Sequence, residues 1–198
     1  STISALLPAI NYRHIKLDAK QQTIAFSHPA VRIDLGGIAK GYAVDRAVQL
    51  LKQQGITHAF ISAGGDSYVL GDRQGQPWRV GIRDPDDANK IIAKLPLSNV
   101  AFSTSGDYER YFDQAGVRIH HIINPSSGRP ASKVRSATVI AGSALQTDGL
   151  SKTAFVLGAE AALKIYSQMP GVEAILVTPE GQVLYSQGLA TRIQSVRP

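Results

Sequence analysis

Residues 136–185 read SATVIAGSALQTDGLSKTAFVLGAEAALKIYSQMPGVEAILVTPEGQVLY. Ser136-Ala137-Thr138-Val139-Ile140-Ala141 has the make-up of a strand and is stopped by Gly142. Residues 145–157 suit a helix, and 159–168 a second one broken before Pro170-Gly171. Ala174 to Val177 and Val183-Leu184-Tyr185 then form a hairpin about Pro179-Glu180-Gly181. A strand, two helices and an antiparallel hairpin do not follow the regular strand–helix alternation of a doubly wound parallel sheet, so the expected class is α+β.

The upstream sequence has the same mixture. Tyr12 to Leu17 and Thr23 to Phe26 read as a strand, a turn and a strand. Residues 39–54 are helical, with Ala47, Leu50 and Leu51 falling 4, 7 and 8 steps after Ala43 and Gly55 as the C-cap. Short strands are expected at His58–Ser62, Tyr68–Leu70, Trp78–Ile82, Val100–Gly106 and Ile119–Ile123, with a polar loop at 84–90. No repeat or linker interrupts the series, so a single domain is expected over 1–198.

The 198 residues are 43% hydrophobic and 18% charged, which suits a chain that buries a core and excludes collagen-like, coiled-coil and disordered classes. With no cysteine there is neither a disulfide nor a thiolate metal site nor a cysteine nucleophile. No apolar run reaches the roughly 18 residues of a spanning helix. Ser1 to Pro8 lack the basic and apolar regions of a leader, so an exported protein would already have lost it. The net charge of +6 suits a phosphate-bearing ligand. Lys and Arg are scattered and no RNP-like or zinc-finger pattern occurs, so nucleic acid is not the expected partner.

Five clusters carry the residue types of a site. In Asp34-Leu35-Gly36-Gly37-Ile38-Ala39-Lys40-Gly41 a strand ends in a carboxylate and a glycine pair opens a helix. Backbone N–H groups at such a start favour anions, and Lys40 could reach a phosphate. Lys40 lies between Ala39 and Gly41, so this is not a P-loop; a tight turn with a solvated lysine is the plain alternative. Ala63-Gly64-Gly65-Asp66 allows close approach of a ligand, or merely a bulge. Ser103-Thr104-Ser105-Gly106-Asp107-Tyr108 offers three hydroxyls, to a ligand or to a turn. The imidazoles of His120-His121 would face opposite sides of a strand, so only one could face a given pocket, and they make a poor zinc pair. In Thr147-Asp148-Gly149-Leu150-Ser151-Lys152-Thr153 the Asp148, Ser151 and Lys152 side chains share a helix face. A carboxylate beside a hydroxyl suits a hard cation, but Asp148 could equally cap a helix by accepting from the N–H of Leu150 or Ser151.

The order of these blocks is more specific than any one of them. Asp34 to Asp45, Gly64-Gly65-Asp66, Pro77-Trp78 with Gly81-Ile82-Arg83-Asp84-Pro85, Ser103 to Tyr108, His121 to Pro130 and Thr147 to Gly158 follow one another. From about residue 10 onward this series resembles the ApbE family of FAD:protein FMN transferases. The resemblance implies a T-fold-like α+β architecture and transfer of FMN from FAD to a Thr or Ser hydroxyl of a target flavoprotein, with AMP leaving and Mg2+ assisting. It implies that Asp34 and Lys40 contact the flavin nucleotide, that His121 and Ile122 line the flavin site, and that Ser105 and Gly106 lie near it. It implies a metal held by the Gly37 carbonyl and the Asp148 side chain with Ser151 beside them, and His121 and Asp148 as catalytic residues. The implied partner is a flavoprotein subunit of a respiratory or redox complex. The implied location is periplasmic or exported, with a membrane-associated precursor.

The chain resembles the C-terminal two-thirds of the usual family length, without the part that helps hold the adenine end of FAD. Two positions depart from the family pattern. Asn124 stands where Asp is usual, and Lys152 stands where a Thr is usual, four residues after Asp148. An ammonium has three donors and no acceptor, so it cannot ligate Mg2+. Lys152 is therefore expected either to weaken or replace the metal or to point to solvent. The alternatives to a transferase are a non-catalytic flavin-nucleotide-binding module of the same family and a structural domain of a larger electron-transfer assembly.

Overall fold

The computed structural model describes residues 2–193. A short helix α1 (Thr2–Leu6) and two 3-10 turns lead into a hairpin of β1 (Ile15–Asp18) and β2 (Thr23–Phe26). Residues 27–34 form no strand, so Asp34 ends a loop and not the strand expected there. Helix α2 (Ala39–Gln53) buries Gly41, Val44 and Val48, the one-turn spacing of a single helix face. Gly55, at φ 77°, turns the chain out of it.

Next come β3 (Ala59–Ala63), β4 (Asp66–Leu70), β5 (Trp78–Arg83), β6 (Ile91–Leu97), β7 (Val100–Gly106), β8 (Tyr111–Gln114), β9 (Val117–His120), β10 (Ile123–Asn124), β11 (Arg129–Pro130) and β12 (Ser136–Ala141). Helices α3 (Ala144–Ser151), α4 (Thr153–Leu157) and α5 (Ala159–Tyr166) precede the closing hairpin of β13 (Glu173–Val177) and β14 (Val183–Tyr185). The fold is α+β, with every strand pairing antiparallel.

The centre is a six-stranded sheet in the order β14-β13-β12-β7-β4-β3. All six residues of β12 are buried, because that strand is covered on both faces. Ala137, Val139, Ala174 and Leu176 face Phe155, Ala162 and Tyr166 of the helical layer. Their neighbours Ile140, Ile175 and Val177 face Val80, Ile82, Ile92, Leu95 and Leu97 of the β5–β6 hairpin. The period-2 alternation of strand side chains thus builds three layers. Val44 and Val48 of α2 complete the helical layer against Tyr68, Leu70 and Ala101.

Three expectations are corrected. Strand β6, absent from the expected strands, pairs with β5 through Trp78↔Leu97 and Val80↔Leu95. The strand expected at 119–123 ends at His120, and a bend at His121 and Ile122 separates it from β10. The single helix expected over 145–157 is two helices meeting at Lys152.

Candidate functional site

The site assembles where α2 and α3 cross the end of the sheet. Two helices approach closely here because Gly41 has no side chain: a Cβ on it would run into the backbone of Ala144 and Leu145. Asp45, one turn further along α2, accepts from the N–H groups of Ala144 (2.7 Å) and Leu145 (2.9 Å) and from the Ser143 hydroxyl (2.7 Å). A carboxylate at the start of α3 also complements the helix dipole. Ser143 is the N-cap, accepting from Gln146 N–H at 3.3 Å. Asp148 therefore lies within α3 and does not cap that helix, which overturns the expectation that it accepts from Leu150 or Ser151; its Oδ2 instead satisfies the first-turn Gly41 N–H of α2.

Strand β7 and helix α3 match in spacing. Ser103 Oγ lies 2.7 Å from Thr147 Oγ1, and Ser105 Oγ 2.7 Å from Ser151 Oγ. Two residues of strand advance about 6.7 Å and four residues of helix about 6 Å, so alternate strand positions meet successive helical turns. Thr104, on the other face, pairs through its hydroxyl with Thr138 at 2.8 Å on β12. The three hydroxyls are thus partnered across elements and not within a turn.

Charge collects at the end of this seam. The Asp148 side chain is fully buried, and its Oδ2 accepts from Gly41 N–H at 3.0 Å. Its Oδ1 takes the Lys152 ammonium and lies 3.5 Å from Lys40 Nζ. Lys40 also pairs with the buried carboxylate of Asp66. Burial works to lower the Lys40 pKa, but the hydrogen bond and charge of Asp66, and then Asp148, outweigh it and raise the ammonium above the ordinary lysine value. The stem of Lys40 crosses the Gly64-Gly65 turn: a Cβ on Gly64 would lie 3.4 Å from Lys40 Cδ, and one on Gly65 3.1 Å from the Thr104 carbonyl. Both glycines have positive φ, 55° and 98°.

The structure thus brings Lys40, Ser105, Asp148, Ser151 and Lys152 together. It adds Asp66, whose Gly-Gly-Asp block was visible in sequence but whose partner lies 26 residues away. Asp34 is exposed and closes its own turn, accepting from Gly36 N–H at 2.6 Å. Gly37 lies in the same exposed approach to α2. Gly106 is buried, held bare by the Tyr108 ring that a Cβ would strike.

The two adjacent histidines do separate, but because β9 ends at His120 and His121 lies on the bend, not because they alternate along one strand as expected. His120 is buried against Phe155, with ring centroids 6.0 Å apart, and its Nδ1 accepts from Ile122 N–H at 3.3 Å. Burial holds its pKa below the usual histidine value despite the pull of Asp107. His121 is exposed at the bend, beside an open concavity of about 450 Å3 lined by Tyr111, Phe112 and Ile119. The Ile122 side chain is buried in the core with Phe155, so any ligand would meet its backbone.

Residues 1–176 match the ApbE family. This chain belongs to that family. A FAD:protein FMN transferase of Rhodobacter capsulatus is 40% identical over 175 residues, covering 88% of this chain and 33% of that protein. One of Treponema pallidum is 35% identical over 183 residues, covering 87% of this chain and 51% of that protein. The crystal structure of the ApbE protein of Thermotoga maritima superposes with a TM-score of 0.89 at 37% identity, covering 98% of this chain and 63% of that one. The ApbE chain described here thus spans a third to a half of the length of those two relatives.

Two of the donors expected for Mg2+, Asp148 and Ser151, do not fit a divalent ion as arranged. The Asp148 Oδ1 and its backbone carbonyl both receive the Lys152 ammonium. The Ser151 hydroxyl is engaged with Ser105 and with the Asp148 carbonyl. Among the described residues no three His, Asp, Glu or Cys side chains cluster as a metal site.

Proposed function

We propose that this chain is the flavin-transfer part of a FAD:protein FMN transferase. The observation that carries the reading is Lys40, laid over the Gly64-Gly65 turn with its ammonium held between Asp66 and Asp148. Membership of a family whose matching relatives bear that name supports it. A fixed cation above an uncluttered backbone turn is suited to a pyrophosphate oxygen.

In the proposed reaction a Thr or Ser hydroxyl of a target flavoprotein attacks the phosphorus on the FMN side of the FAD pyrophosphate. The new oxygen–phosphorus bond forms as the bond to AMP breaks. The hydroxyl proton passes to the exposed His121, and AMP leaves as its phosphate. Lys40 meets charge that develops on the phosphoryl oxygens. Asp34 and the Ile122 backbone border the flavin nucleotide in this reading, with Ser105 and Gly106 beside it. Of the donors expected for Mg2+, Asp148 and Ser151 are engaged by Lys152 and Ser105, so no step is routed through the metal. A redox-complex subunit as target and an exported location belong to the same reading and rest on the resemblance. No helix among the described residues is long and apolar enough to cross a membrane.

One observation favours the second reading, a non-catalytic flavin-nucleotide-binding module: Lys152 sits on Asp148. The test is incubation of the chain with FAD and a Thr-bearing acceptor flavoprotein, followed by mass spectrometry of the acceptor and quantification of AMP. One FMN added per acceptor with equal AMP supports the transferase. FAD binding without either product leaves the binding module. No FAD binding refutes both.

A further inference from the structure

We propose that the Lys152 ammonium is the resident cation of the Asp148 site and occupies the position a divalent ion would otherwise take. The identity of the anion it meets rests on the flavin reading; the cation assignment does not. In an unbroken α-helix the Asp148 carbonyl would accept the N–H of Lys152. Here the helix breaks at Lys152, whose N–H turns instead to Gly149 O at 3.4 Å and to Leu150 O. The break frees the Asp148 carbonyl beside its own carboxylate. Two hard oxygens of one residue, one of them charged, are then presented together, which is a donor pair for Mg2+ or Ca2+.

The same residue that breaks the helix fills the vacancy it makes. Lys152 Nζ donates to Asp148 O at 2.6 Å and to Asp148 Oδ1. The Ser151 hydroxyl adds a second donor to that carbonyl at 2.8 Å. The remaining carboxylate oxygen is committed to Gly41 N–H. A divalent ion could reach this residue only by displacing an ammonium from two oxygens, with Lys40 3.5 Å from the same Oδ1.

An ammonium has three donors, and two of those on Lys152 are spent on Asp148. The Lys152 side chain remains 25% exposed, so its ammonium can also be approached from outside. Lys152 and Lys40 converge on one carboxylate oxygen from two elements, so an anion oxygen arriving there meets two fixed cations. The site is thereby equipped to hold a pyrophosphate with its own charges.

Mn2+ is the probe, followed by electron paramagnetic resonance on the full chain without FAD. Lys152→Thr removes the charge and adds a hydroxyl; Lys152→Met removes the charge and keeps the stem, and both melts are compared with wild type. Even with the full screening of bulk water, an ammonium about 4 Å from a divalent ion weakens its binding about thirtyfold. Both variants are therefore expected to bind one Mn2+ at least that much more tightly than wild type. Equal Mn2+ affinity in wild type and variants overturns the proposal, as does failure of all three to bind, since Lys152 would then not be what keeps the ion out. A FAD titration by calorimetry supplies the second arm. Wild-type affinity is expected to be the same in EDTA and in millimolar Mg2+, and binding lost in EDTA overturns the proposal. Absence of FAD binding under every condition strikes the flavin reading alone, and the Mn2+ result still decides the cation.

Discussion

Asp148 is the residue whose replacement reads the site most directly, and two substitutions separate its two roles. Asp148→Asn keeps an oxygen that can accept from Gly41 N–H but removes the charge that Lys152 and Lys40 share. A fully sealed ion pair broken in this way costs about 3–5 kcal/mol. Here the lysines are 25% and 43% exposed and can swing into water, and Lys40 keeps Asp66. The expected loss falls to about 1–2 kcal/mol. Asp148→Ala also strands the Gly41 N–H where α2 presses on α3, adding about 1–3 kcal/mol. In a chain of 198 residues each kcal/mol lowers Tm by about 2–4 °C. Thermal melts followed by circular dichroism at pH 7 should therefore rank wild type above Asp148→Asn and Asp148→Asn above Asp148→Ala. A cycle with Lys152→Met should give a coupling of about 1 kcal/mol with Asp148→Asn. Equal melts for the Asn and Ala variants would refute the role given to the Gly41 hydrogen bond. Strict additivity with Lys152→Met would refute the ion pair itself.

Gly41→Ala should cost about 1–3 kcal/mol, because its Cβ meets the backbone of Ala144 and Leu145 and not a side chain that could turn away; urea unfolding measures it. Phe155→Ala should cost about 3–5 kcal/mol by the same assay, since Phe155 is fully buried and the His120 ring packs on its edge. The His120 pKa is depressed in the fold, so below about pH 6.5 the unfolded chain takes up a proton that the folded chain resists, and stability falls toward acid. His120→Asn, which keeps an acceptor for Ile122 N–H, should shrink the drop in urea midpoint between pH 7.5 and pH 5.5; an unchanged drop would place the effect elsewhere.

What sequence could and could not show follows from the range of the interactions. Helix α2 and the run from β12 to β14 were legible because their periodicity is local and their ends carry glycine, or proline and glycine together. Strand β6 was not, because Pro96 interrupts its apolar run. It is tolerated there since, among the described residues, β6 has β5 as its one strand partner and its other edge carries no ladder that needs the missing donor. Strand β8 was missed because Tyr111 and Phe112 are exposed, and no alternation marks a ribbon without a buried face. The break at Lys152 has no glycine or proline to announce it. At the site, the Asp148–Lys152 pair was readable as a spacing of four. The meeting of Lys40 with Asp66 and with Asp148 depends on two chain crossings that no local pattern encodes.

The charge balance of the site also limits how it can work. Lys40 and Lys152 face Asp66 and Asp148, so the four side chains sum to zero before a ligand arrives. On the proposed reading, fixed position and not net attraction would select a pyrophosphate. The position is fixed on regular elements: α2 against α3 through Gly41 and Asp45, and α3 against β7 through paired hydroxyls. The acids are buried and the lysines half-exposed, so the negative charge faces inward and the donors face outward. In the proposed transfer an arriving anion would therefore meet oriented N–H groups whose own counterions lie behind them, an arrangement that would cost little reorganisation as charge shifts onto the leaving phosphate.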